Sequence, residues 1–150
     1  MKFFDLGDGV SARPVFIPNN LSPDHASRMF LNVPSQVKVA GKNALDAGWR
    51  FFAVRQSRGR CYYSEKVITI PAWVIDSPRA GYKAYYIAHE IAHIHAPGDS
   101  HGAKFMAAFR STCPIEFQHY ELEYKPRNAA SAGIMKDIGM YDSNTPMIDF

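Results

Sequence analysis

Apolar residues recur at helical spacing most clearly in "DSPRAGYKAYYIAHEIAHIH" (76–95), where Ala84, Ile87, Ile91 and Ile94 form a core-facing stripe. Ser77 is placed to cap this helix, Pro78 suits its first turn, and "APG" at 96–98 stops it. Downstream, Ser100 can cap a second helix over 101–111, with Phe105 and Phe109 four apart. Pro114 opens a third, "PIEFQHYELEYK", and a last helix is expected over "NAASAGIMKDIG", followed by an irregular tail at 140–150.

Upstream the period changes to that of strands. "RFFAVR" (50–55), "RCYYS" (60–64) and "KVITIPAW" (66–73) are rich in β-branched and aromatic residues, and short polar turns separate them. The first two read as an Arg-rich hairpin over 50–60. Pro71 marks the third run as an edge strand or as one that leaves the sheet abruptly. A helix weakened by Gly41 is expected over 36–48. Residues 1–35 are broken by Pro14, Pro18, Pro23 and Pro34 and read as irregular, apart from a short helix start at Ser22-Pro23. Strands first and helices afterwards predict one α+β domain over residues 1–150: a small three- to four-stranded sheet, a central helix and C-terminal helices.

A chain of 150 residues with 47% hydrophobic content suits one compact domain with a real core. A net charge of +3 neither demands nor excludes a nucleic-acid partner. The two cysteines, Cys61 and Cys113, form no CxxC pair, so neither a disulfide framework nor a cysteine zinc ribbon organises the chain. No apolar run is long enough for a membrane span and the first residues lack a signal-peptide pattern, so the expected compartment is the cytoplasm, without a membrane partner.

The candidate chemistry lies on the clearest helix. Four of the six histidines fall in "YYIAHEIAHIHAPGDSHGAKF" (85–105), two of them as His89-Glu90-x-x-His93. Residues four apart share a helix face, so His89 and His93 can offer two imidazoles to one cation. Zinc accepts such nitrogens at about 2.0–2.1 Å, and Glu90 beside the first ligand can serve as general base to a water there. At this composition the pattern is expected by chance roughly 0.008 times per chain.

The third ligand is open on spacing alone. His95 is swung about 200° from His93 around the helix. Asp99 lies six residues past His93, behind an Ala at 96 where a compact turn would want Gly. His101, beyond the "APGDS" reversal, is favoured, and Glu116 or Glu121 could reach in from further away.

"HEIAHIHAPGDSHGAKF" resembles the HExxH…HGxxF signature of small SprT-like and WLM-like zincin metallopeptidases, in the style of the short metallohydrolases of actinobacteria and their phages. The similarity runs over residues 50–135 and is specific only at 89–105. It implies a zinc site of His89, His93 and His101 with Glu90 as catalytic acid/base. It also implies that an edge strand, taken here as "VITIP", pairs with an extended peptide or protein substrate.

Three functions follow as expectations. The first is a zinc-dependent peptidase. The second is a non-catalytic metal-binding structural or interaction protein on the same scaffold. The third is a nucleic-acid-associated protein using Arg50, Arg55, Arg58 and Arg60, whose plainer reading is a solvated rim. Tyr82, Tyr85, Tyr86, Tyr120 and Tyr124 are candidates to stabilise an oxyanion, their plainer reading being rings packed in the fold with hydroxyls at water. His119 is a candidate to orient a ligand, and His25 is expected at the surface.

Overall fold

The computed structural model describes residues 16–124. The expected helix at 128–139 and the tail at 140–150 lie outside them, as do residues 1–15 of the irregular N-terminal segment. The described residues form an α+β fold in the order α1 (Pro23–Ala26), α2 (Ser35–Asp46), β1 (Arg50–Val54), β2 (Arg60–Tyr62), β3 (Val67–Pro71), α3 (Ala72–Ile75), α4 (Tyr82–His95), α5 (Ala103–Thr112), a 3-10 turn (Ile115–Phe117) and α6 (His119–Tyr124). No helix among them is long and apolar enough to cross a membrane.

The sheet order is β1-β3-β2, with β1 parallel and β2 antiparallel to β3. This corrects two expectations. "VITIP" is the central strand, buried at every position from Val67 to Pro71, because a strand paired on both sides and covered on both faces needs continuous apolar character. Pro71 is tolerated because the strand ends there and α3 begins, the abrupt exit its position allowed. The 50–60 stretch is also no hairpin. β1 and β2 are opposite edges of the sheet, and the hairpin is instead β2–β3, closed by a turn in which Lys66 has φ of 55°.

The segment between β1 and β2 therefore passes over the end of β3. Gly59 makes the crossing possible: a Cβ there would run into the Thr69 carbonyl oxygen and press on the Tyr86 ring. Its N–H donates to the Tyr86 hydroxyl at 2.8 Å, and Trp73 Nε1–H donates to the Ser57 carbonyl at 2.8 Å. The outer side of β1 is met by Leu21, which bridges to Val54.

α4 is the core of the molecule, packed against α5, α2 and the sheet. It starts at Tyr82, later than Ser77 and Pro78 suggested, with left-handed Gly81 (φ 73°) as its N-cap. That αL geometry favours a residue without a side chain, and a Cβ there would also strike the Phe117 ring. Burial extends well beyond the aliphatic stripe. Tyr82, Ala84 to Ala92 and the tyrosine rings among them are all buried, and Ile94 is half-buried. α5 begins at Ala103 rather than at His101. Its first turn is capped not by Ser100 but by Asp99, whose Oδ2 accepts from the Phe105 N–H at 2.9 Å. The expected third helix divides into the 3-10 turn and α6.

Smaller expectations resolve locally. Ser22 does precede Pro23 at the start of α1, but its hydroxyl binds the His25 ring rather than capping a backbone N–H. His25 is half-buried, its Nε2 2.6 Å from Asp76 Oδ2, in a group completed by Arg28.

Gly59→Ala is expected to destabilise the fold by about 1–3 kcal/mol, because the obstacle is backbone and cannot rotate away. A urea titration checks this through a lowered midpoint at unchanged slope.

Candidate metal centre

His89 and His93 lie one turn apart on α4, and the reversal through Gly98 (φ 78°) and Ser100 (φ 56°) returns the chain so that His101 faces them. The three imidazoles converge through one kind of atom. His93 Nε2 and His101 Nε2 each lie 3.3 Å from His89 Nε2. Four ligands at about 2.0–2.1 Å around a tetrahedral ion are spaced about 3.3 Å from each other, so the donor spacing fits such an ion. These three residues could hold a metal ion.

Each ring is held from outside the cluster. His89 is fully buried, and its Nδ1 lies 2.6 Å from Glu121 Oε1 on α6. A carboxylate there makes Nδ1 the protonated nitrogen and turns the Nε2 lone pair toward the other imidazoles. The Tyr85 hydroxyl donates to the same Glu121 oxygen at 3.2 Å. Beneath the cluster lies Phe105, its ring centroid 4.8, 4.6 and 4.9 Å from those of His89, His93 and His101. Phe109 stacks behind it, the two planes 13° apart. One apolar ring thus contacts all three imidazoles and restricts their rotation.

The other candidates for the third position sit elsewhere. His95 is exposed at the end of α4, Asp99 caps α5, and Glu116 is exposed. Glu121 is near, but beneath His89 rather than among the Nε2 atoms. It holds the supporting position that His119 had been a candidate for, while His119 is exposed and bonded to the Glu116 carbonyl.

Glu90 is buried, and its Oε2 has no hydrogen-bond partner. Burial, reinforced by the Glu121 carboxylate, pushes its carboxyl up to about 8. It lines an open groove of about 480 Å³ together with His93, Gly98, Ser100 and the run from Gly59 to Tyr63. The edge strand beside the cluster is therefore β2, in place of "VITIP".

Two groove residues escaped the sequence reading. The Tyr63 hydroxyl donates to the His93 carbonyl at 2.8 Å, anchoring the β2–β3 turn to the ligand helix. Burial, with Glu90 second, pushes the Cys61 thiol up to about 12, which removes it as a thiolate nucleophile. The tyrosines expected to face an oxyanion are engaged inside the fold: Tyr85 with Glu121, Tyr86 with Gly59 and Tyr120 with the Ala80 carbonyl. Tyr82 is buried, and the side chain of Tyr124 lies outside the described residues. No local signal marks Tyr63, because only the pairing of β2 with β3 brings it to α4.

Comparison with family models, with curated proteins and with solved structures gave no match.

Glu121→Gln is expected to weaken metal binding by about 10–100-fold, since the amide cannot fix the His89 ring as a carboxylate does. Competition against a chelator of known affinity measures it. His95→Ala, changed at an exposed ring outside the cluster, is expected to leave that affinity unchanged.

Proposed function

We propose that this chain is a zinc-dependent hydrolase acting on peptide bonds, with His89, His93 and His101 as the metal ligands and Glu90 as the acid/base residue. An all-imidazole donor set suits zinc, though other divalent ions share that preference. Zinc held there would supply a Lewis acid to polarise a carbonyl and to acidify water.

The observation that carries the reading is Glu90. A carboxyl group buried beside three converging imidazoles, with one oxygen lacking a partner and the groove in front of it, is costly to keep for structure alone. Its position suits taking a proton from an attacking water and returning it to the departing amine. Glu121 and Phe105 keep the imidazoles aligned, and the burial of His89 excludes bulk water from below.

The groove supports a peptide as substrate through its wall. The Arg60 N–H is directed at β3, where it donates to Thr69 Oγ1 at 2.9 Å. By strand alternation, the Cys61 N–H and C=O point the other way, toward the groove. An extended chain laid along β2 would meet that donor and acceptor and pass in front of Glu90. The resemblance to SprT-like and WLM-like zincins agrees with this arrangement, with β2 in the part first given to "VITIP".

Glu90→Gln is expected to lower hydrolysis of an unstructured protein substrate by about 10²–10⁴-fold while zinc stoichiometry stays near one per chain. Parallel measurement of bound zinc and of cleavage products decides it. Undiminished cleavage by the purified variant would refute the acid/base role. Zinc binding without cleavage by the unaltered protein would favour the non-catalytic reading.

A further inference from the structure

The groove carries a charge pattern that hydrolysis does not use. Beside it lies a second basin of about 490 Å³, lined by Gln56, Ser57, Arg58, Arg60 and Tyr62. Arg60 and Tyr62 belong to both, so the two spaces meet along the free side of β2. Among the described residues, Glu90 is the one acidic side chain lining either space, and it sits buried beside the imidazoles. Arg60 is exposed and makes no ion pair among the described residues.

Strand geometry says where this charge would act. Arg60 and Tyr62 share one face of β2, and Cys61, between them, packs toward the core on the other. A chain pairing with the outer edge of β2 would place the side chain opposite Arg60 on that same face, with Cβ atoms about 4.5–5.5 Å apart. A carboxylate fits there, and the planar guanidinium can bind it through two N–H donors. Lys or Arg at that position would face a like charge.

Resting on the hydrolase reading above, we propose that the substrate is an extended acidic segment, with an Asp or Glu side chain seated at Arg60 and Arg58 adding positive potential behind it. A nucleic acid would also answer to arginines. The favoured occupant is a peptide because Arg60 shares its strand with the outward-facing Cys61 amide and carbonyl, which pair with a peptide backbone and not with a sugar–phosphate chain. The other two arginines of the cluster are placed elsewhere: Arg50 is on the opposite edge strand, over the Phe52 ring, and Arg55 follows that strand.

The test measures binding without turnover. Zinc-loaded E90Q protein is titrated with two fluorescently labelled extended peptides that differ only in Glu against Gln at two alternate positions. The Glu peptide is expected to bind about three- to ten-fold more tightly at low salt, with the gap closing as salt rises. Arg60→Gln should abolish the gap and Arg58→Gln should narrow it, while unchanged thermal unfolding shows that both variants are folded. Equal affinity for the two peptides, no binding of either, or a preference that survives Arg60→Gln would overturn the proposal. So would a single-stranded oligonucleotide that displaces the Glu peptide and binds more tightly than it. Failure of the hydrolase reading is registered separately, as absence of cleavage of both peptides by the unaltered protein, and leaves the binding comparison intact.

Discussion

A buried imidazole held between a carboxylate and two other imidazoles sets the terms for the rest of this molecule. His89 has no solvent to satisfy either ring nitrogen. Glu121 takes Nδ1 at 2.6 Å, and that fixes which nitrogen is left to face His93 and His101. Polar groups buried this deeply are costly unless paired. Each pairing therefore demands an element to deliver it: α6 for Glu121, the Gly98–Ser100 reversal for His101, and α5 for the Phe105 ring beneath all three. Helices that look like separate C-terminal packing units are tied together by one side chain of α4.

The second constraint is the route of the chain between β1 and β2. Had these runs paired directly, β3 would have taken an edge and the groove would have had a different wall. Instead the chain crosses the end of β3 at Gly59, where there is no room for a Cβ, and the Tyr86 hydroxyl receives the Gly59 amide. Tyr86 belongs to α4, three residues before His89. The crossing is thus fastened to the helix that carries the cluster. The Tyr63 bond to the His93 carbonyl fastens the far end of β2 to the same helix. The edge strand is thus hydrogen-bonded near both of its ends to the helix that carries the cluster.

Local pattern was enough for what is local. The α+β class, the extents of β1 and α5 to within two residues, and the helix carrying His89-Glu90-x-x-His93 could all be read from periodicity and from Pro and Gly positions. The convergence of His101 could be argued from the "APGDS" reversal, because it needs only a tight return between adjacent elements. Strand order could not be read in this way. "VITIP" has the same composition whether it sits at the centre or at an edge, and its Pro71 argued for the edge although it only ends the strand. Glu121 was equally opaque: 32 residues separate it from His89, and nothing in "FQHYELEY" distinguishes the carboxylate that turns inward from Glu116, which stays exposed. The start of α4 was misplaced for a related reason. Ser77 and Pro78 have the chemistry of a helix start, but the space beside Phe117 and a left-handed backbone put the start at Gly81.

Glu90 and Glu121 show why residue type alone does not decide function. Both are buried glutamates, and both lie close to His89. Glu121 reaches His89 with one oxygen and receives the Tyr85 hydroxyl on that same atom, so its charge is used within the fold. Glu90 makes no such bond to a cluster imidazole and borders the groove, which Glu121 does not line. If the cluster served only to bind an ion, an apolar residue at position 90 would fill the same place without the cost of desolvating a carboxyl. Keeping a carboxyl there is physically economical when something else completes its hydrogen bonding, and the open side of Glu90 is the side along which a substrate would lie. A carboxyl that faces the groove, beside a three-histidine geometry that would be complete without it, favours a reaction over the mere holding of an ion.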